Sequence, residues 1–223
     1  MEDHKLKVYK GKGLFLPIVR LFIGLFLYAV GIVFTINAKL GLAPWDVFHQ
    51  GISKLSGITM GQASILVGLV IVIVDWAFGE KVGIGTISNM LFIGIFIDIL
   101  MLNNLIPVFS NLFAKVIMML LGMFIIGIAS YFYIGAGLGS GPRDGMMVAL
   151  TKKTGKSVRF VRNTIEFTAV VIGYFLGGTI GIGTLVMVVA GGYFVQFAFK
   201  LFNFDVKAVE HQFIDDYLLR RNE

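Results

Sequence analysis

The sequence predicts an all-α membrane protein: six transmembrane helices arranged as two inverted three-helix repeats, each with a short interfacial or re-entrant helix. Three observations predict it. The 223 residues are 57% hydrophobic and only 14% charged, with a mean hydropathy of +0.87, whereas an average soluble domain carries about 25% charged residues. Apolar runs of membrane-crossing length recur along the chain. The second half also repeats the first at a constant offset of 98 residues.

Residues 1–13 form a basic tail with Lys5, Lys7, Lys10 and Lys12. The first span covers about 14–38; it is too long for a signal-peptide core and belongs to the repeat, so it is read as retained. Residues 41–57 are too few and too polar to span. Pro44 suits the first turn of a helix, where its missing N–H has no partner to lose. Val47, Phe48, Ile52 and Leu55 follow at helical spacing, and Gly57 ends the run. Residues 59–78 and 82–102 are the second and third spans, each about 20 residues or roughly 30 Å of helix. The fourth span covers 111–136, the second short helix 142–154, and the fifth and sixth spans 158–176 and 180–199. From 204 to 221, Val206, Val209, Phe213 and Tyr217 at helical spacing predict an amphipathic helix on the membrane surface. The organisation is therefore a cytoplasmic basic tail (1–13), a first membrane repeat (14–105), an inverted second repeat (111–203) and a cytoplasmic amphipathic tail (204–223).

The repeat rests on punctuation. Aligned without gaps, 20–102 and 118–200 share 19 identities in 83 positions, against about 7 expected from composition. The matches gather at Gly41/Gly139, Pro44/Pro142, Asp46/Asp144, Lys54/Lys152 and Gly57/Gly155, and at Gly83-Ile84-Gly85-Thr86 against Gly181-Ile182-Gly183-Thr184. Chance likeness between apolar helices matches Leu and Val; it does not match Pro-x-Asp and Gly-Ile-Gly-Thr in one register.

Three spans per repeat is an odd number, so the second repeat enters from the opposite side. The basic residues agree with this. With the N-terminus inside, the cytoplasmic segments hold the four tail lysines, Lys81, Arg143, Lys152, Lys153, Lys156, Arg159, Lys200, Lys207, Arg220 and Arg221; the outer loops hold only Lys39 and Lys54. Inverted repeats of this kind build several transporter folds. They set one Pro-x-Asp helix start against one Gly-Ile-Gly-Thr turn on each side.

The candidate site residues follow from polarity in an apolar setting. Asp46 and Asp144 fall in the first turns of the short helices, where a carboxylate either caps free N–H groups or helps a helix start to bind a solute or ion. Arg143 stands where the first repeat has Trp45, and reads as an anchor for anionic lipid or as a gate acting with Asp144. Arg159, Arg162, Asn163 and Glu166 form one stripe on the fifth span. Glu166 lies about two turns into it, where a charge needs a partner; Arg162, four residues before, reaches it as a structural pair or as part of a solute or proton path. The matching stripe of the first repeat is small: Gly61, Ser64, Ile65 and Gly68. Asp98 is a further pathway candidate, while Asp75 and Trp76 read as interfacial. Gly83, Gly85, Gly181 and Gly183 are candidates for close backbone approach, as a packed turn or at a ligand. His4, His49 and His211 have no metal-ligand spacing and there is no Cys, so no metal or cofactor is expected, and no arrangement of residues suggests enzyme catalysis.

The stretch Gly-Leu-Gly-Ser-Gly-Pro-Arg-Asp-Gly at 137–145, with Leu-Gly-Leu-Ala-Pro-Trp-Asp at 40–46, resembles the YczE/YyaS/YitT-like integral membrane proteins of bacteria, and the YczE-type branch most. The resemblance covers about 14–203. It implies a multi-pass protein of the bacterial cytoplasmic membrane and brings no activity or active site with it. Two functions fit the residues: a small-solute or ion transporter or channel-like protein, or a non-transporting accessory that stabilises a partner complex. The expected surroundings are the bilayer, with anionic lipids at the cytoplasmic face; the sequence leaves room for a homo-oligomer or a membrane-protein partner, and the net charge of +6 sits in tails and one loop rather than on a nucleic-acid-binding domain.

Overall fold

The structure, a computed structural model, describes residues 14–213; the basic N-terminal tail and the last ten residues lie outside them. The described residues hold eight α-helices and no strand: α1 (Phe15–Asn37), α2 (Pro44–Ser56), α3 (Met60–Ala77), α4 (Ile84–Leu102), α5 (Leu112–Gly135), α6 (Pro142–Thr154), α7 (Val158–Phe175) and α8 (Ile182–Leu201). The starts and stops are local chemistry. Pro44 and Pro142 open α2 and α6, and Gly57 and Gly155 close them in the left-handed conformation. Thr59 and Gln62 form a capping box at α3, and the Ser157 hydroxyl accepts from the Phe160 N–H at α7. At α4 and α8 the hydroxyls of Thr86 and Thr184 turn back to accept from the N–H of Gly83 and Gly181, each at 3.2 Å.

Five helices are long and apolar enough to cross a membrane: α1, α3, α4, α5 and α8. The sequence led us to expect six. The difference is α7, whose 18 residues suffice in length but include Arg159, Arg162 and Glu166. Large apolar side chains face outward all around the bundle, among them Phe15, Phe167, Phe175 and Val189, each more than 70% exposed. Water would not tolerate such a belt, and lipid does.

The two halves touch through reciprocal contacts. At the centre α1 packs along α5, with Leu21, Leu25, Ile32 and Val33 meeting Met118, Met119, Met123 and Tyr133 in one core. Apolar attraction between helices is weak in lipid, so close packing carries the association. A Cβ on Gly122 would sit 2.8 Å from the Gly31 carbonyl oxygen; at the equivalent place, one on Gly24 would sit 3.1 Å from that of Ala129. Outward from this pair, α4 packs on α1 and α8 on α5, while α2 packs on α7 and α6 on α3. The Gly85 N–H donates to the Leu138 carbonyl at 2.7 Å, and the Gly183 N–H to the Leu40 carbonyl at 2.8 Å. Lys54 donates to the Gly177 carbonyl at 2.8 Å, holding the α7–α8 turn; Lys152 pairs with Glu80 at 2.7 Å, holding the α3–α4 turn. One extensive contact has no reciprocal. Helix α3 lies along α4, but α7 stands away from α8 although a short turn joins them.

The short helices enter the protein by their N-terminal ends. Pro44, Asp46 and Pro142 are buried, whereas Leu55, Gly57 and the residues 152–155 are exposed. Each short helix therefore has the positive end of its dipole inside the protein and its lysines outside. The C-terminal tail departs from its expected helix. Residues 206–208 make one 3₁₀ turn, and the chain then lies against the loop after α5, where the Gln212 N–H donates to the Gly137 carbonyl at 2.8 Å. Phe204 is buried against the rings of Tyr131 and Phe199. Tertiary docking of the aromatic groups overrides the periodicity there; Tyr217 lies outside the described residues.

Candidate functional site

The loops 40–43 and 138–141 are held first, and they aim the short helices. Gly41 and Gly139 have φ of +120° and +119°, a conformation that favours glycine. A Cβ on Gly83 would overlap the Leu138 carbonyl, and one on Gly181 the Leu40 carbonyl. The Thr86 hydroxyl also donates to the Ser140 carbonyl at 2.6 Å. The Gly-Ile-Gly-Thr turns therefore serve as clamps on the helix start of the other half, and Gly83, Gly85, Gly181 and Gly183 are not in the lining of the cavity beside these helix starts.

The two helix starts meet. The guanidinium carbon of Arg143 lies 4.8 Å from the centre of the Trp45 ring, so equivalent positions of the two repeats form a cation–π pair. Arg143 Nη2 is 3.4 Å from His49 Nε2. Arg carries only donors, so Nε2 is the accepting nitrogen and the proton belongs on Nδ1. Nδ1 faces Asp46 Oδ1 at 3.5 Å, a long contact. Burial holds the His49 imidazole below its ordinary pKa, against the opposing pull of Asp46.

Beside this pair opens a cavity of about 210 Å³. Its polar lining is Tyr28, Trp45, His49, Ser64, Asn89, Ser130, Tyr133, Arg143, Asp144, Arg162 and Glu166, with Val67, Ile71, Ile93 and Ile134 between them. Glu166 accepts from Arg162 Nε at 2.9 Å, the i,i+4 pair expected from the stripe. Asp144 is crowded by protein yet reachable by solvent through the cavity. Burial pushes its carboxyl up from the ordinary range, with Arg162 and Arg143 opposing.

Four of the six charged residues singled out in the sequence thus share one space: Arg143, Asp144, Arg162 and Glu166. Arg143 faces inward to Trp45 and His49 instead of standing at a lipid surface. Asp46 is buried behind His49 and does not line the cavity. Asp98 lies elsewhere and is structural: it accepts from the Thr59 hydroxyl and from the Gly61 N–H at 2.8 Å, closing the start of α3. Asp75 is not interfacial but buried, packed on Gly145, while Trp76 is exposed. His49, Tyr28, Tyr133, Ser130 and Asn89 were missed. His49 was legible three residues after Asp46 on a helix face; the others carry no sequence signal, since isolated polar residues in spans gain meaning only from what they face.

A family model covering residues 16–200 matches, described as a family of unknown function (DUF6198). This chain belongs to that family. Similar proteins include "Uncharacterized membrane protein YczE" of Bacillus subtilis (strain 168), 39% identical over 79% of this chain and 82% of its own length. An "Uncharacterized protein" of Haemophilus influenzae is 30% identical over 79% of this chain and 80% of its own. "Uncharacterized protein YyaS" of Bacillus subtilis is 28% identical over 76% and 86%. No solved structure matches. The resemblance read from 137–145 and 40–46 thus holds, and the matched residues reach from α1 into α8 and include every residue that lines the cavity.

Proposed function

We propose that the protein is a small-solute or ion transporter of the bacterial cytoplasmic membrane, built from six spans in two inverted halves with both termini inside. The observation that carries this reading is the cavity at the meeting of the two re-entrant helix starts, lined by two cations and two carboxylates. A non-transporting scaffold has no use for four ionisable groups there, and each is costly among apolar helices. Helix starts converging on one polar space supply positive dipole ends and adjustable backbone to a solute. The reciprocal contacts between halves support the alternation: Gly85 with Leu138 and Gly183 with Leu40 give two equivalent seams, one to loosen on each side. As the sixth span, α7 crosses with Arg162 and Glu166 neutralising each other against the cavity.

The purified protein in sealed vesicles is expected to move a solute from a broad panel of labelled small polar compounds and ions, and Glu166→Gln to abolish the flux while leaving the melting curve intact. Wild-type vesicles that move nothing across the panel overturn transport. A topology reporter fused at Gly178 is expected outside the cell; a cytoplasmic reporter overturns the inverted arrangement.

A further inference from the structure

Within the cavity the charges are unequal in one respect. Arg162 and Glu166 already satisfy each other. Arg143 and Asp144 do not: no carboxylate comes within ion-pair distance of Arg143, and the Asp144 carboxylate makes no hydrogen bond or ion pair among the described residues. Arg143 has only a ring face and a neutral imidazole, and it is half-buried. A half-buried cation with no carboxylate partner, beside a carboxylate that has no partner either, is a costly arrangement, and the Trp45 ring and His49 fix where the guanidinium points.

We propose that Arg143 and Asp144 are the two poles of a binding site for a zwitterionic solute, with the solute's anionic group on the Arg143 guanidinium and its ammonium on the Asp144 carboxylate. This rests on the transport reading for its purpose but not for its chemistry. The geometry supplies each pole separately. The α6 N-terminus adds a favourable field for the anionic group, and Arg143 adds a forked donor. Tyr28, Trp45 and Tyr133 line the space between with ring faces and hydroxyls. The volume of about 210 Å³ accommodates a compound of amino-acid size. A simple anion would leave Asp144 uncompensated and a simple amine would leave Arg143 so. The site therefore favours a guest that meets both charges over one that meets either alone.

The test uses the full chain in detergent, so that binding is read without flux. Glycine, β-alanine and γ-aminobutyrate form a ladder of charge separations; acetate, propionate and propylamine are the single-charge analogues. Melting shifts and tryptophan fluorescence, with Trp45 in the wall, give the Kd. One rung of the ladder is expected to bind about tenfold or more tightly than either analogue. Asp144→Asn should make the preferred rung bind no better than its carboxylate analogue, and Arg143→Gln no better than its amine. Equal binding of zwitterion and single-charge analogues to the wild type, or no binding by any rung, overturns the site assignment, and this wild-type comparison holds even if Arg143→Gln does not fold. Flux of some other solute with no zwitterion binding sinks this inference and leaves transport standing; zwitterion binding with no flux of any solute does the reverse.

Discussion

The α3–α4 hairpin and its counterpart α7–α8 start from one plan and end in opposite roles. In the first, Gly61 and Gly94 bring the backbones so close that a Cβ at either would strike the other's carbonyl oxygen, and Asp98 accepts from the N-terminal groups of α3. In the second, the matching residues are Arg159, Gly192 and Gln196; Gly192 faces open space and the helices part. The pair that closes locks one side of the bundle. The pair that opens frees α7 to lie on α2 and present Arg162 and Glu166 to the cavity. One hairpin thus closes on itself through glycines and Asp98, and the other opens and places charged side chains on the cavity wall.

That comparison can be broken first at the seams the halves share. Gly83→Val and Gly181→Val each drive a side chain into the opposing Leu carbonyl, with no flexible neighbour to give way. Each should lower stability by about 3 kcal/mol or more, read as loss of monodisperse protein in detergent and a lower melting temperature. Losses of similar size at both positions would mean that the seams are equivalent; a tolerant Gly181 would make the second half loose throughout, not only between α7 and α8.

The hairpins themselves give a smaller effect. Asp98→Ala leaves the Thr59 hydroxyl and the Gly61 N–H without their acceptor, for about 1–3 kcal/mol. Gln196→Ala, at the equivalent position on exposed helix, should change the melt by less than about 0.5 kcal/mol. Comparable losses would show that α7 and α8 do pack, and would refute the asymmetry. Smallest of all, Lys152→Ala removes an exposed pair with Glu80, with an effect of about 0–1 kcal/mol that fades in high salt. Lys54→Ala should be as mild, because the lysine it removes is also exposed.

Much of the architecture was legible because it is written locally. Pro44 and Pro142 mark helix starts, Gly57 and Gly155 mark stops, and α6 runs over the same residues that the sequence predicts. The i,i+4 spacing of Arg162 and Glu166 suffices to pair them on any helix. Where periodicity was weak evidence, it failed: the 204–213 segment has the spacing of an amphipathic helix but packs Phe204 into an aromatic cluster instead. Asp98 shows a different limit. A carboxylate in a span is either a functional group or an acceptor for a neighbour's free N–H, and only the position of Thr59 and Gly61 decides.

By itself the sequence determined where the short helices start and stop, the membrane setting and the 98-residue offset between like segments, because hydropathy, turn residues and register are read along the chain. Only the tertiary structure decided that the two Pro-x-Asp helix starts converge, that Arg143 stacks on Trp45 beside His49, and that α7 leaves α8. Those contacts join residues about a hundred positions apart. They depend on how the halves dock, through glycine clamps and carbonyl bonds whose partners no local pattern names.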